Sequence, residues 1–269
     1  MVAQSSCDYG VMHLTDFLLM KFLLKPLQWI YCLYALIMFI VLMLGMLPLV
    51  IIALFLGKIK GGNLIYKACK IWGFLWYFFV GLKHKNIYEV THDSKRQYIF
   101  VANHISYLDI PPAFMSFNQP LRVLGKYEMS KVPVFGFIYR NTAVLVDRSS
   151  AAGRAKSVRI LKSYLRKHIS IFLFPEGTFN LTGKPLKEFF DGAFRMAIET
   201  QTPIKPVLFV DTEDRLHFRS LFSLTPGLCR SVFLKEIEVE GLTINDLQTL
   251  KETVYDLMEA GMRRYRKYS

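Results

Sequence analysis

His104 and Asp109 stand five residues apart at the end of an apolar run, Val101-Ala-Asn-His-Ile-Ser-Tyr-Leu-Asp109. A histidine leaving the end of a strand is exposed at the top of a sheet, and a carboxylate about one turn further on can reach one of its ring nitrogens. The carboxylate then fixes the tautomer and stabilises the imidazolium, so the other nitrogen is left to take a proton from an attacking hydroxyl. Acyl transfer to an alcohol needs such a pair of base and orienter. Alone, the spacing also suits a helix-capping aspartate beside a surface histidine. A second stretch, Ile169-Ser-Ile-Phe-Leu-Phe-Pro-Glu-Gly-Thr178, reads as a strand ending at Pro175, then a carboxylate, a glycine and a hydroxyl. Gly177 permits close backbone approach, and Glu176 and Thr178 can hydrogen-bond a polar ligand. An ordinary turn has the same composition.

The elements that would position these residues are short apolar runs separated by charged, periodic stretches from about Asn86 onward. Tyr98–Ala102, Ala143–Val146, Ile169–Phe174 and Ile204–Val210 read as buried strands. Ala151–Lys167, Leu186–Thr200 and Ile244–Lys267 read as helices, the last with a basic end at Arg263, Arg264, Arg266 and Lys267 that suits the helix dipole. Strands alternating with helices predict an α/β fold, a mostly parallel sheet flanked by helices. No internal repeat or low-complexity linker interrupts it.

Upstream the pattern is different. No charged residue lies between Lys25 and Lys58. That stretch of about 30 residues would be about 45 Å long as a helix, more than one perpendicular crossing of a hydrocarbon core of about 30 Å needs. Gly45 and Pro48 lie inside it, so it reads either as a tilted or kinked span or as two shorter helices folded back. A second apolar stretch, Ile71–Leu82, is too short to span and is rich in interface-seeking aromatics. Lys58, Lys60, Lys67, Lys70, Lys83 and Lys85 surround it; they suit anionic headgroups and place this side in the cytoplasm. Residues 1–82 therefore read as an N-terminal, apolar, helical membrane anchor, and residues 83–269 as the α/β domain.

Composition agrees. The 269 residues carry 34 Lys and Arg against 21 Asp and Glu, a net charge of +13, and 52% are hydrophobic, which excludes intrinsic disorder. Cys7, Cys32, Cys69 and Cys229 are too few and too scattered for a disulfide framework, and no Cys/His cluster suggests zinc. A pI near 9.5 with a mean hydropathy of +0.27 is basic and apolar together. That pairing points to an anionic membrane surface and away from nucleic acid.

Taken together, the two chemical stretches resemble the glycerolipid acyltransferase family, specifically the bacterial lysophosphatidate (1-acylglycerol-3-phosphate) acyltransferases. The family's NH-x4-D motif stands as Asn103-His104 to Asp109, and its FPEG motif as Phe174-Pro175-Glu176-Gly177-Thr178. Gly125–Pro133, Phe135-Gly136 and Val146-Asp-Arg148 resemble the second block, and Pro203-Ile-Lys-Pro206 the fourth. The resemblance implies a single-step transfer of a fatty acyl group from a thioester, on coenzyme A or acyl carrier protein, to a lysolipid hydroxyl. It implies His104 as general base and Asp109 as its orienter, with no acyl-enzyme, metal or resident cofactor. By the same analogy Lys126 and Arg148 face the acceptor phosphate, and the Glu176-Gly177-Thr178 turn helps to hold the acceptor.

Two positions depart from the pattern. Phe179-Asn180 follows Thr178 where many relatives have Arg and then Ser, and Phe190-Asp191 precedes Gly192-Ala193 where basic residues are often found. Both remove positive charge from the place expected for a phosphate. Either Lys184, Lys187 or Arg195 replaces it, or the acceptor is a lyso-aminolipid or another lysophospholipid. A non-catalytic membrane scaffold is the reading from outside enzymology, and an intact His104 and Asp109 argue against it.

Overall fold

The computed structural model describes residues 14–147 and 149–268, with side chains from residue 24 onward. The charge-free stretch is one continuous helix, α1 (Leu14–Leu54), and neither Gly45 nor Pro48 ends it. It turns back at Phe55-Leu56 into α2 (Gly57–Phe79). Helical structure thus begins well before the aromatic stretch at Ile71, because Gly57–Lys70 alternates lysines with residues that pack inward, among them Ile65, Tyr66 and Cys69.

The two helices form an antiparallel hairpin. Near its open end the Trp76 indole N–H donates to the Ala35 carbonyl at 2.9 Å and the Tyr31 hydroxyl to the Val80 carbonyl at 2.6 Å. Phe39 sets its edge against Trp72 and Trp76. These contacts use only one face of α1. On the other, Trp29, Leu33, Leu36, Ile40 and Leu44 are exposed at helical spacing, and Ile71, Phe74, Leu75 and Phe78 of α2 join them. An uncovered apolar surface of this extent is foreign to a water-facing helix.

After the hairpin come β1 (Leu82–Tyr88), β2 (Ile99–Ala102), α3 (Ile110–Met115), β3 (Leu121–Lys126), α4 (Phe135–Thr142) and β4 (Ala143–Val146). The chain continues through α5 (Ala151–Leu165), β5 (Ser170–Leu173), α6 (Gly192–Thr200), β6 (Ile204–Phe209), α7 (Thr212–Arg215), β7 (Gly227–Phe233) and α8 (Leu247–Tyr265). The sheet order is β1-β7-β6-β2-β5-β3-β4. The run β6-β2-β5-β3-β4 is parallel, while β7 is antiparallel to β6 and parallel to β1. The expected α/β fold with a mostly parallel sheet is therefore the observed one.

Alternation along β2 shows how the layers divide. Ile99 and Val101 join a core with Leu161 of α5, Phe194 of α6 and Val254 of α8. Tyr98, Phe100 and Ala102 join the opposite core with Ile65 of α2, Phe114 of α3 and Ile138 of α4. Burial on both faces explains the unbroken apolar runs. The helix expected over Leu186–Thr200 forms only from Gly192. Before it, the Lys187 amide donates to the Glu176 carboxylate and the Phe190 amide to the Pro175 carbonyl, so this segment is tied to the second motif instead of coiling on itself.

Candidate active site

In the parallel part of the sheet the C-terminal strand ends share one edge, the usual ligand-binding edge of such folds. At this edge β2 releases Asn103-His104, β5 releases Phe174–Thr178, β3 ends at Lys126, and β6 leads into Thr212. Asn103 is wholly buried and bridges to β6: its side-chain amide donates to the Phe209 carbonyl at 2.9 Å and accepts from the Phe209 amide at 2.8 Å. The asparagine thus extends the sheet by one position beyond Ala102 and fixes where the next residue emerges.

That residue, His104, meets Asp109 as the spacing predicts. Nδ1 lies 2.8 Å from Asp109 Oδ2. The same carboxylate oxygen accepts from the amides of Ile105 and Ser106, both at 2.8 Å, and Oδ1 accepts from the Thr212 hydroxyl. Four donors around a wholly buried carboxylate offset a desolvation penalty of several kcal/mol per ion. They also hold Asp109 as an acceptor, so Nδ1 carries the hydrogen and Nε2 is left as the basic nitrogen. The short 3-10 turn Tyr107–Asp109 that supplies the aspartate is capped by Ser106, whose hydroxyl accepts from the Leu108 amide and donates to the Leu216 carbonyl.

The main chain of His104 is clamped as well. Its amide donates to Glu176 Oε1 at 3.0 Å, and its carbonyl accepts from the Asn180 amide at 2.7 Å. Here the structure corrects an expectation. Glu176 is wholly buried and turned inward, with Oε2 accepting from the Lys187 amide at 3.1 Å, so it braces the histidine and does not face an acceptor. Burial pushes its carboxyl up to about 8, against the pull of the two amides.

The imidazole ring lies against Phe174, with centroids 3.9 Å apart, and meets the edge of Phe179 at 4.3 Å. Phe179 in turn contacts Tyr107. From this lip a cavity of about 430 Å³ runs inward beneath β3 and α4 to Met43 and Met46 of α1 and Cys69 and Trp72 of α2. His104, Lys126, Gly177 and Thr178 line it, and Gly177 holds the left-handed conformation, φ +74°. Lys187 lines the neighbouring surface groove and not this cavity, but its Nζ reaches the rim by donating to the Thr178 hydroxyl at 2.9 Å. Arg148 lies outside the described residues. Of the other two cations considered as replacements, Lys184 lines a separate surface groove and Arg195 is exposed on α6; neither lines this cavity. Among the described residues no group of three or more His, Cys, Asp and Glu side chains could hold a metal ion.

The acyltransferase family model matches residues 83–210, the segment that holds His104, Asp109, Lys126, Glu176, Gly177 and Thr178. These residues are thus similar to the acyltransferase family. The 1-acyl-sn-glycerol-3-phosphate acyltransferase of Salmonella typhimurium is 31% identical over 163 residues, which are 60% of this chain and 65% of that protein. The chain thus spans just under two thirds of that relative's length. The Escherichia coli protein of the same name is 28% identical over 66% of this chain and 72% of its own. In fold, the chain is similar to the crystal structure of the 1-acyl-sn-glycerophosphate (LPA) acyltransferase PlsC from Thermotoga maritima. The TM-score is 0.71 at 20% sequence identity, covering 91% of this chain and 99% of that one.

Sequence reasoning passed over Thr212, the stacking partner Phe174 and the bracing role of Glu176. Thr212 reaches Asp109 only because β6 is the neighbour of β2, and strand order is not written in local pattern. The run of aromatics at Phe172, Phe174 and Phe179 was a visible signal for the stack.

Proposed function

We propose that this chain transfers a fatty acyl group from a thioester, on coenzyme A or acyl carrier protein, to the free hydroxyl of 1-acylglycerol-3-phosphate, giving phosphatidate. One observation carries the reading: a histidine with an aspartate on Nδ1 lines a mostly apolar cavity that Lys126 also lines. The shared name of the relatives supports the acceptor. In this mechanism His104 Nε2 removes the hydroxyl proton as the oxygen attacks the thioester carbonyl. The new C–O bond forms, the C–S bond breaks, and the imidazolium returns its proton to the departing thiolate. Asp109 stabilises the imidazolium while it exists. The acyl chain lies in the cavity, and Lys126, Lys187 and Arg148 hold the phosphate, with Gly177 and Thr178 shaping the mouth. No metal or resident cofactor takes part.

The hairpin of α1 and α2 anchors the protein in the membrane by its exposed apolar face, with the lysines of α2 and the active site on the cytoplasmic side. Substrate then enters from the leaflet without crossing water.

A second reading keeps the chemistry and changes the acceptor to a lyso-aminolipid or another lysophospholipid. Phe179 favours it, since an aromatic edge and not a cation stands beside His104. Purified protein assayed with labelled acyl-CoA and acyl carrier protein against a panel of lysolipids decides between them. Lysophosphatidate as the best acceptor upholds the first reading, and lysophosphatidate ranking last overturns it.

A further inference from the structure

A second cleft, of about 600 Å³, lies along the free edge of β4, between the turn from α1 into α2 and the flank of α5. It adjoins the catalytic cavity, since Thr142 and Ala143 line both. Its charge is one-sided: Lys58, Arg122, Arg140 and Lys156 face Asp147 alone among the described lining residues. Asp147 is itself engaged, accepting from the amide and hydroxyl of Ser149.

Arg122 is the unusual member. It is 3% exposed, yet every acceptor around its guanidinium is neutral: the Asn63 side-chain oxygen and the carbonyls of Leu121, Lys58 and Ile59. The ring of Tyr164 covers it at 5.0 Å. Gly62 makes the room, because a Cβ there would stand 2.6 Å from Arg122 Nη2. Burial without a counter-anion lowers the affinity of this guanidinium for its proton. A cation so placed raises the potential of the cleft, and a low-dielectric wall transmits that field with little screening.

We infer that this cleft binds a phosphate-bearing anion, with Arg140, Lys156 and Lys58 as direct ligands and Arg122 as a fixed positive charge behind them. The volume is that of a small-molecule site. Two sources carry the same chemistry. One is the nucleotide end of coenzyme A, since the cleft adjoins the catalytic cavity. The other is an anionic lipid headgroup, since Leu54 and Gly57 form its rim next to the exposed Phe55 and Leu56. The inference rests on the cleft and not on the catalytic reading.

The test is calorimetric titration of the full chain in neutral detergent with coenzyme A and, separately, with dihexanoyl phosphatidylglycerol. Arg140→Ala/Lys156→Ala, His104→Ala and Lys126→Ala are titrated beside wild type. Arg140 and Lys156 are exposed, so their truncation leaves folding intact. The double variant is expected to weaken one probe or both by about tenfold or more, while His104→Ala binds as wild type does. Loss confined to coenzyme A identifies the nucleotide, and loss confined to the lipid identifies the headgroup. If neither probe binds wild type, or if only Lys126→Ala weakens binding, the inference is wrong.

Discussion

His104 lies flat on Phe174, with ring centroids 3.9 Å apart and planes inclined by 10°. The two residues come from different strands, β2 and β5, which the register pairs side by side through Val101 and Leu173. An aromatic face beneath an imidazole stabilises it most when it is charged, which is the state a general base reaches as it takes the proton. Phe174→Leu keeps the apolar contact and removes the π face. Acyl transfer is expected to fall about five- to tenfold, with little change in melting temperature; turnover and thermal melting measured on one preparation check this.

Asp109→Asn removes the acceptor that fixes the histidine tautomer, and activity is expected to fall by about 10²- to 10⁴-fold. Thr212→Val withdraws only one of the four donors around the carboxylate, so its effect is smaller, about tenfold. Equal losses in the two variants would contradict the division of labour derived for them. Initial rates at saturating acceptor make the comparison.

Glu176 gives a pH signature in stability. Its carboxyl is pushed up to about 8 in the folded chain, so between its ordinary value and about 8 the folded state holds a proton that the unfolded state has lost. Stability therefore declines as pH rises through that window and levels off on both sides. Glu176→Gln lacks the titration and keeps one of the two acceptors, so its stability should stay flat from pH 5 to about 8 while that of wild type declines. Glu176→Ala, which frees the amides of His104 and Lys187, should lose activity at every pH. Chemical denaturation of the three proteins across this range reads out both effects.

If the acyl chain occupies the cavity as proposed, its selection depends on the part lined by Cys69 and Trp72 of α2 with Met43 and Met46 of α1. Cys69→Phe fills that part and should shift the preferred donor toward shorter chains without lowering the rate on the shortest. Competition between thioesters of graded length measures the shift.

Phe55 and Phe78 are 86% and 76% exposed on the hairpin. Burying each in lipid is worth about 2 kcal/mol, so Phe55→Asp and Phe78→Asp should each weaken liposome flotation by about tenfold or more while leaving the melting temperature unchanged. Wild-type flotation by both would remove the hairpin as the anchor.

The legible parts of this chain were those where one physical requirement dominates. Ile99–Ala102 and Ile204–Phe209 are buried on both faces, so their apolar runs marked the strands to within a residue at either end. By contrast β1, written Leu-Lys-His-Lys-Asn-Ile-Tyr, is an edge strand with Lys83, Lys85 and Tyr88 exposed, and its mixed pattern predicts no strand. The segment 186–191 has helical periodicity but spends its amides on Glu176 and Pro175, a tertiary demand that periodicity does not record. The His104–Asp109 pair was local and therefore readable. Its supports, Asn103 on Phe209 and Thr212 on Asp109, cross more than a hundred residues of sequence and depend on strand order.

The most direct measurement is incorporation of a labelled acyl group from acyl-CoA and from acyl carrier protein into lysophosphatidate by wild type and by His104→Ala, with circular dichroism confirming that both are folded. Labelled phosphatidate from wild type, and a loss of about 10³-fold or more in the variant, is the expected result. Equal incorporation by the two proteins would contradict the assignment of His104 as the base.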